Sequence, residues 1–182
     1  MLIAVYSRAN PRGSRNKEVN YARKGRYLGM KARNYHNYTI KLRDRQILSI
    51  ERNGQKIESF VEPDNHSKLP KLYIVKSGSE VIYVGQTTQN MRTRLRQGLK
   101  AQGEHGYYGY MWKELTEVNL LIWCFPNRRE SYVETIEGEL VFLFRKCKGK
   151  WPERQTEIHF HNASKDEIKV AESIYEEAFR KD

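Results

Sequence analysis

The chain has few of the residues that build disulfide-linked, zinc-binding or membrane-spanning proteins. Only two of its 182 residues are cysteines, Cys124 and Cys147, and neither belongs to a CxxC motif or a Cys/His spacing. This pattern argues against a disulfide framework or a structural zinc site and predicts two ordinary buried thiols. The sequence has no apolar run of roughly 18 residues and no secretory signal at its start. We therefore expect a cytoplasmic protein with no membrane partner.

Acidic residues are scarce in the first quarter of the chain. Residues 1–45 contain twelve Lys and Arg against two acids, Glu18 and Asp44, so this segment carries +10 of the formal net charge of +11. Such a concentration of positive charge indicates a polyanionic partner such as a nucleic acid. A solvated basic tail or an RNA-binding segment is the alternative. The residues expected to contact DNA here are Arg23, Lys24, Arg26, Arg33 and Arg43.

Local patterns predict three parts in a chain that is 38% hydrophobic and long enough to bury a core. Residues 1–70 form a basic DNA-binding segment with a β-hairpin, because apolar positions alternate on both sides of Asn53-Gly54, a dipeptide suited to a type I′ turn. Residues 71–156 form the core, whose motifs are described below. Residues 157–182 supply a strand and a helix that pack on this core.

Within the core, strands and amphipathic helices follow one another. KLYIVKS and EVIYVGQ form two strands joined at Gly78-Ser79, and VNLLIWCF forms a third. NMRTRLRQGLKAQ predicts a basic helix, with Arg92, Arg96 and Lys100 as further DNA contacts, and SYVETIEGELVFLFRKCKG predicts a second helix. We therefore predict an α+β fold, a small antiparallel sheet flanked by helices, to which the basic N-terminal hairpin is added.

Four short elements of the core resemble the signature of the GIY-YIG nuclease superfamily. They are Leu72-Tyr73-Ile74, Tyr83-Val84-Gly85, Arg94-Leu95 and Glu137-Gly138-Glu139-Leu140-Val141. Each is common by itself, and the specificity lies in their order and spacing. Leu72 stands where the family has its first glycine. The resemblance covers roughly residues 70 to 156 and implies metal-dependent hydrolysis of a DNA phosphodiester bond.

The resemblance also implies a role for each candidate catalytic residue. Tyr73 is expected to be the general base or the group that orients the attacking water, with Tyr83 beside it. Arg94 is expected to bind the scissile phosphate through two hydrogen bonds. Glu137 is expected to hold Mg²⁺ or another divalent cation such as Mn²⁺. A free tyrosine has a pKa of about 10, so it is a poor base at neutral pH unless nearby cations favour the phenolate. Arg94 and the metal are the natural sources of this positive charge.

Some site positions remain open on sequence grounds. Arg92 is an alternative to Arg94, and Glu134 and Glu139 are alternatives to Glu137 as the metal ligand. Position 98 is Gly where the family commonly has a histidine, so His105 is a candidate for part of that function. Gln155 is the amide nearest to the place of the family's asparagine. Four aromatic residues after the basic helix either contact DNA or pack in the core: Tyr107, Tyr108, Tyr110 and Trp112.

A short chain with basic additions and no separate DNA-binding domain resembles the type II restriction endonuclease branch. That branch implies a homodimer that cuts both strands of a short palindromic site. A phage-type or structure-specific nuclease is the second hypothesis. A non-catalytic nucleic-acid-binding protein that keeps the fold is a third, from a different class.

Overall fold

A computed structural model describes the backbone of Ile3–Val5 and residues 34–179, without the side chain of His105. The strands are β1 (Ile3–Val5), β2 (Tyr35–Arg43), β3 (Gln46–Arg52), β4 (Gln55–Ile57), β5 (Lys71–Ser77), β6 (Glu80–Thr87), β7 (Glu117–Cys124) and β8 (Glu157–His159). The helices are α1 (Met91–Lys100), α2 (Glu130–Lys148) and α3 (Lys165–Ala178). A short 3₁₀ turn, Glu104–Gly106, follows α1.

The described residues form an α+β fold built on a curled, six-stranded antiparallel sheet. Its strand order is β4-β3-β2-β7-β5-β6, and β1 pairs separately with β8 in parallel. The predicted fold class, a small antiparallel sheet flanked by helices, is confirmed. The sheet continues across residue 70, however, because β2 pairs with β7 from Tyr35↔Trp123 to Lys41↔Glu117. The strands predicted as an added hairpin are therefore half of the central sheet.

Between residues 34 and 70 the chain forms two tight hairpins where the sequence predicted one. The predicted turn at Asn53-Gly54 is present between β3 and β4, with positive φ angles of 52° and 74°. A second turn at Asp44-Arg45, with φ angles of 50° and 58°, joins β2 to β3. Both residues of each turn have the positive φ of a type I′ turn. The turn at Asp44-Arg45 was missed because this dipeptide carries no glycine to signal it.

Both faces of the central strands are covered, which explains why β5 reads as a nearly continuous apolar run. Tyr73 and Val75 face the cluster that contains the buried side of α1. Leu72 and Ile74 face the opposite cluster, which contains the buried sides of α2 and α3. The sheet therefore lies between α1 on one face and α2 with α3 on the other. Strand β6 is an edge of this sheet, and α2 packs against it.

The segment that leads from β4 to β5 is packed, and its residues Phe60 and Asp64 are buried. The buried carboxylate of Asp64 accepts hydrogen bonds from the Tyr38 hydroxyl at 2.6 Å and from the Cys124 thiol at 3.2 Å, and its Oδ2 lies 2.8 Å from Nδ1 of His36. The backbone carbonyl of Asp64 accepts a hydrogen bond from Met91 N, at the start of α1. A buried polar network thus joins this segment to β2, β7 and α1.

Local sequence signals agree with the structure at the start of α3 but not at one of the two cysteines. The Ser164 and Glu167 capping box opens α3, as its sequence predicts. Cys124 is half-buried, but Cys147 is exposed near the end of α2, so the prediction of a buried thiol is wrong there. No helix within the described residues has the length and apolar character needed to cross a membrane.

Candidate active site

Two tyrosines from neighbouring strands lie together on the α1 side of the sheet. The rings of Tyr73 on β5 and Tyr83 on β6 have centroids 6.0 Å apart and are tilted by 31°. Gly85 is the strand partner of Tyr73, and a Cβ at this position would lie 2.5 Å from the Tyr73 hydroxyl. Contacts this short do not occur, so the phenol of Tyr73 requires glycine opposite it. The glycine of the Tyr83-Val84-Gly85 element is therefore part of the geometry of the site.

Helix α1 directs Arg94 onto this tyrosine pair. The side chain of Asn90 accepts a hydrogen bond from the backbone of Arg92 and starts the helix, and Met91, Leu95 and Leu99 bury its apolar side. The Nε of Arg94 donates a hydrogen bond to the Tyr73 hydroxyl at 3.4 Å. Arg92, the alternative, donates instead to the carbonyl oxygen of Glu58. The structure therefore brings Arg94, and not Arg92, to the tyrosines.

Glu137 lies on α2, close enough to Tyr73, Tyr83 and Arg94 to interact with them electrostatically. The helix begins at Glu130, so Glu137 lies in its third turn. The next residue, Gly138, packs against β8 so closely that a Cβ would lie 2.8 Å from the carbonyl oxygen of His159. This close contact fixes the position of α2. Glu137 itself is half-buried, and its negative charge helps to raise the pKa of Tyr73 and that of Tyr83.

The carboxylate of Glu137 is held in an unfavourable environment for a negative charge. Burial, with a smaller contribution from the charge of Glu134, raises its pKa to about 8, and the positive charge of Arg94 offsets part of that rise. Glu134 lies one turn earlier, on the same side of α2, and its Oε2 is 3.4 Å from Nε2 of His161. Glu139 is two positions beyond Glu137, which turns it about 200° around the helix. Of the three candidates, Glu137 is the one that interacts electrostatically with Arg94 and both tyrosines.

Burial also governs the phenols. It raises the pKa of Tyr73, and the charge of Arg94 and a hydrogen bond with Tyr110 only partly oppose it. The pKa values of Tyr83 and Tyr110 are raised well above normal, again mainly by burial. We expected nearby cations to favour the phenolate of Tyr73, and the net direction is the opposite. At neutral pH all three phenols are protonated in this structure.

Tyr110 is a site residue whose role the sequence did not reveal. Its hydroxyl lies 2.9 Å from that of Tyr73, and both side chains are buried, with exposed fractions of 2% and 0%. Sequence analysis left Tyr110 between DNA contact and core packing. No local signal separates it from Tyr107 and Tyr108, which are exposed, because its orientation depends on the path of the loop after α1.

Gln155, another predicted site residue, makes no contact with this cluster among the described side chains. The Gln155 amide is buried at the β6 edge, where it accepts a hydrogen bond from Val84 N at 2.9 Å and donates to Val84 O at 3.0 Å. Gln155 therefore extends the strand pairing of β6. His105 lies in the 3₁₀ turn after α1, and its side chain is outside the described residues.

The predicted DNA contacts are distributed over several places. Arg96 and Lys100 are exposed on α1, and Arg43 is exposed at the end of β2. Arg92 is half-buried and is engaged with Glu58 as described above. The remaining predicted contacts, Arg23, Lys24, Arg26 and Arg33, lie outside the described residues.

Comparison of the chain with protein-family models, with curated proteins and with solved structures found no match. Among the described residues there is also no group of three or more His, Cys, Asp or Glu side chains placed to hold a metal ion. The functional hypothesis therefore depends on the residues and geometry of the Tyr73, Tyr83, Arg94 and Glu137 site.

Proposed function

We propose that the chain is a DNA endonuclease that hydrolyses phosphodiester bonds with the help of a divalent cation. The observation that carries this proposal is the convergence of Tyr73, Arg94 and Glu137, which come from three different elements. The Arg94 side chain bonds to Tyr73 and acts electrostatically on Glu137. An arginine next to two phenols and within electrostatic reach of a carboxyl group provides the groups that a phosphodiester hydrolase needs.

Arg94 has the geometry to bind a phosphate. Its Nε is used by Tyr73, and its guanidinium carbon lies 5.7 Å and 5.9 Å from the ring centroids of Tyr110 and Tyr107. No other side-chain hydrogen bond links this guanidinium to a described residue. Its two terminal nitrogens can therefore donate to one phosphate, the bidentate arrangement that lysine cannot provide. The hydrogen bond and the aromatic rings hold this orientation before the substrate binds.

The donor chemistry of Glu137 fits Mg²⁺ or Mn²⁺. A half-buried carboxylate whose pKa is raised to about 8 gains from a bound cation, since the cation removes the cost of burying a negative charge. Mg²⁺ takes oxygen ligands and retains several waters, so one protein carboxylate can be sufficient. Bound there, such an ion neutralises charge on the phosphate and lowers the pKa of a water molecule. The neutral phenols of Tyr73 and Tyr83 then orient groups and do not remove protons.

The partners that fit this proposal are double-stranded DNA and a second copy of the chain in the cytoplasm. A homodimer cutting a short palindromic site, as in type II restriction endonucleases, agrees with the basic N-terminal segment and the small size of the chain. A phage-type or structure-specific nuclease is the alternative within the same chemistry.

Incubation of supercoiled plasmid with the protein and Mg²⁺ tests the proposal. Discrete linear fragments indicate a site-specific enzyme, whereas nicking or smearing indicates a less specific nuclease. Glu137→Gln should abolish cleavage and keep or tighten DNA binding, because it removes the metal ligand and a repulsive charge together. Glu134→Gln is the matched control and should retain cleavage. Equal cleavage by wild type and Glu137→Gln would refute the assigned metal ligand.

One observation favours the non-catalytic nucleic-acid-binding hypothesis. The Tyr73 side chain is 0% exposed, so its hydroxyl does not meet solvent in this structure. An enzyme in which this hydroxyl orients the attacking water must move Arg94, or the loop of residues 107–112, when DNA binds. Retardation of DNA without cleavage, under all tested divalent cations, would support the binding protein.

A further inference from the structure

A third tyrosine occupies the space that a side chain on α1 would otherwise fill. A Cβ at Gly98 would lie 2.2 Å from the ring of Tyr110, so the ring can take this place only because residue 98 is glycine. The backbone of Tyr110 donates a hydrogen bond to the carbonyl of Gly98 at 2.9 Å. Gly109, with a φ of 72°, passes so close to that carbonyl that a Cβ would lie 2.1 Å from it. Two glycines thus hold Tyr110 against α1.

The ring of Tyr110 is fixed on its other sides as well. It stacks on Trp112 with a centroid distance of 4.4 Å and an angle of 17°. It meets the ring of Tyr83 nearly edge-on, at 5.4 Å and 72°. Lys113 secures the loop below, since its Nζ donates to the carbonyls of Ala101 and Tyr108, both at 2.8 Å. This packing leaves the hydroxyl of Tyr110 aimed at the hydroxyl of Tyr73.

From this arrangement we infer that Tyr110 is a positioning residue for the proposed nuclease site, donating a hydrogen bond to the oxygen of Tyr73. The Nε of Arg94 can only donate, so the Tyr73 oxygen accepts from Arg94. A second donor from Tyr110 leaves only the O–H of Tyr73 to donate, and that hydrogen can reach a water or a phosphate oxygen once the groups that bury Tyr73 move on DNA binding. Arg94 and Tyr73 are then held as one unit. This inference goes beyond the proposed function and rests on it only for the effect on cleavage.

The first experiment needs no cleavage. Residue 73 of the full-length chain is replaced by a polyfluorinated tyrosine whose phenol ionises near neutral pH, and its ionisation is followed by absorbance. Adding Tyr110→Phe removes the donor while the ring remains, and the pKa of residue 73 should rise by about one unit, the effect of losing a hydrogen bond to a charged group. The other groups that act on this phenol, Tyr83, Arg94 and Glu137, are the same in both proteins.

Tyr38→Phe is the matched control, because it removes another buried hydroxyl from the same apolar cluster, one that bonds to Asp64. It should leave the ionisation of residue 73 unchanged. A pKa that stays constant in Tyr110→Phe would overturn the inference. A pKa that falls would also overturn it, since that result means that Tyr73 donates to Tyr110. Unfolding curves of both variants check that the fold is retained.

The second experiment links Tyr110 to the reaction. Tyr110→Phe should slow single-turnover cleavage roughly tenfold at unchanged DNA affinity, and it should slow cleavage no further in a Tyr73→Phe background. Additive effects in the double variant would show that Tyr110 acts independently of Tyr73, against the inference. If the wild-type protein cuts no DNA, the proposed function fails, and the fluorotyrosine titration still decides the role of Tyr110.

Discussion

The phenol of Tyr73 lies directly over Gly85, its partner on the neighbouring strand. A Cβ on Gly85 would be 2.5 Å from both Cζ and the hydroxyl of Tyr73, and 2.7 Å from the ring of Tyr83. The position of the Tyr73 phenol thus explains why the residue two positions after Tyr83 is a glycine. It makes room for one phenol and limits the position of the other, and the Tyr73 phenol in turn contacts Arg94.

Gly85→Ala adds only one methyl group, but it should still disrupt the site. The added methyl group must displace the Tyr73 phenol, and overpacking of this kind costs about 1–3 kcal/mol of unfolding free energy. Denaturant unfolding measures this change. Gly78→Ala is an informative control, because its Cβ would meet nothing within 4 Å and its cost should come from the positive φ of 58° alone. Equal DNA cleavage by Gly85→Ala and wild type would show that the Tyr73 position is unimportant.

The raised pKa of Glu137 predicts a pH dependence of stability that a metal should remove. The folded protein keeps this proton up to a pKa of about 8, whereas the ordinary value is 4.5. The resulting stability is fully present below pH 4.5 and is lost as the pH rises through 8. In buffer free of divalent cations, the free energy of unfolding of Glu137→Gln should therefore increase relative to that of wild type as the pH rises over this range. The increase should be about 1–3 kcal/mol once partial solvent exposure is allowed for.

Thermal unfolding at several pH values, with and without Mg²⁺, measures this difference. At pH 8 Mg²⁺ should raise the melting temperature of wild type and leave that of Glu137→Gln unchanged, because only wild type has the ligand. Glu134→Gln serves as the control and should still respond to the ion. An equal response of all three proteins would place the cation elsewhere.

The sequence was sufficient for features that depend on local patterns. The strands around Gly78-Ser79, the basic helix with Arg94 and the capping box at Ser164 all follow from short-range periodicity and turn chemistry. The pairing of β2 with β7 could not be predicted, since it joins residues about eighty positions apart through backbone hydrogen bonds. For this reason the sequence suggested a separate N-terminal part where the structure has one sheet.

The site shows the same division between local and long-range information. Four short motifs indicated Tyr73, Tyr83, Arg94 and Glu137, but the net pKa of Tyr73 could not be read from the sequence, because it depends on how completely the phenol is buried. Tyr110 was indistinguishable from the tyrosines beside it. Gly98 gave the only useful signal, since a glycine at a buried helix position implies that something else fills that space.

The basic N-terminal segment should supply sequence-independent affinity for DNA. Residues 1–45 carry +10, but deleting all of them would remove β2, which pairs with both β3 and β7. Replacing Arg23, Lys24, Arg26 and Arg33 with glutamine tests the charge without removing a strand. Binding to all DNA sequences should weaken, and the salt dependence should become shallower by about one counterion for each phosphate that is no longer neutralised. An unchanged salt slope would exclude these four residues from the interface.

The final prediction separates positioning from proton removal at Tyr73. Because burial raises the pKa of Tyr73 above its ordinary value of 10.0, the phenol is neutral across the pH range in which the enzyme would be assayed. Tyr73→Phe should slow single-turnover cleavage roughly 100-fold, at the low end of effects seen when proton-transfer groups are removed, and keep the shape of the pH–rate profile. Arg94→Ala should cost about 3–4 kcal/mol of transition-state stabilisation. Arg92→Ala is its control and should leave the chemical step intact.

The pH profile decides between the two roles of Tyr73. A rise in rate with pH should follow the ionisation of Glu137, whose pKa is raised to about 8, and increasing Mg²⁺ should move that rise to lower pH because the cation competes with the proton. Tyr73→Phe should show the same rise at a lower overall rate. If the rise disappears in Tyr73→Phe, then Tyr73 removes a proton, and DNA binding must lower its pKa by moving the groups that enclose it.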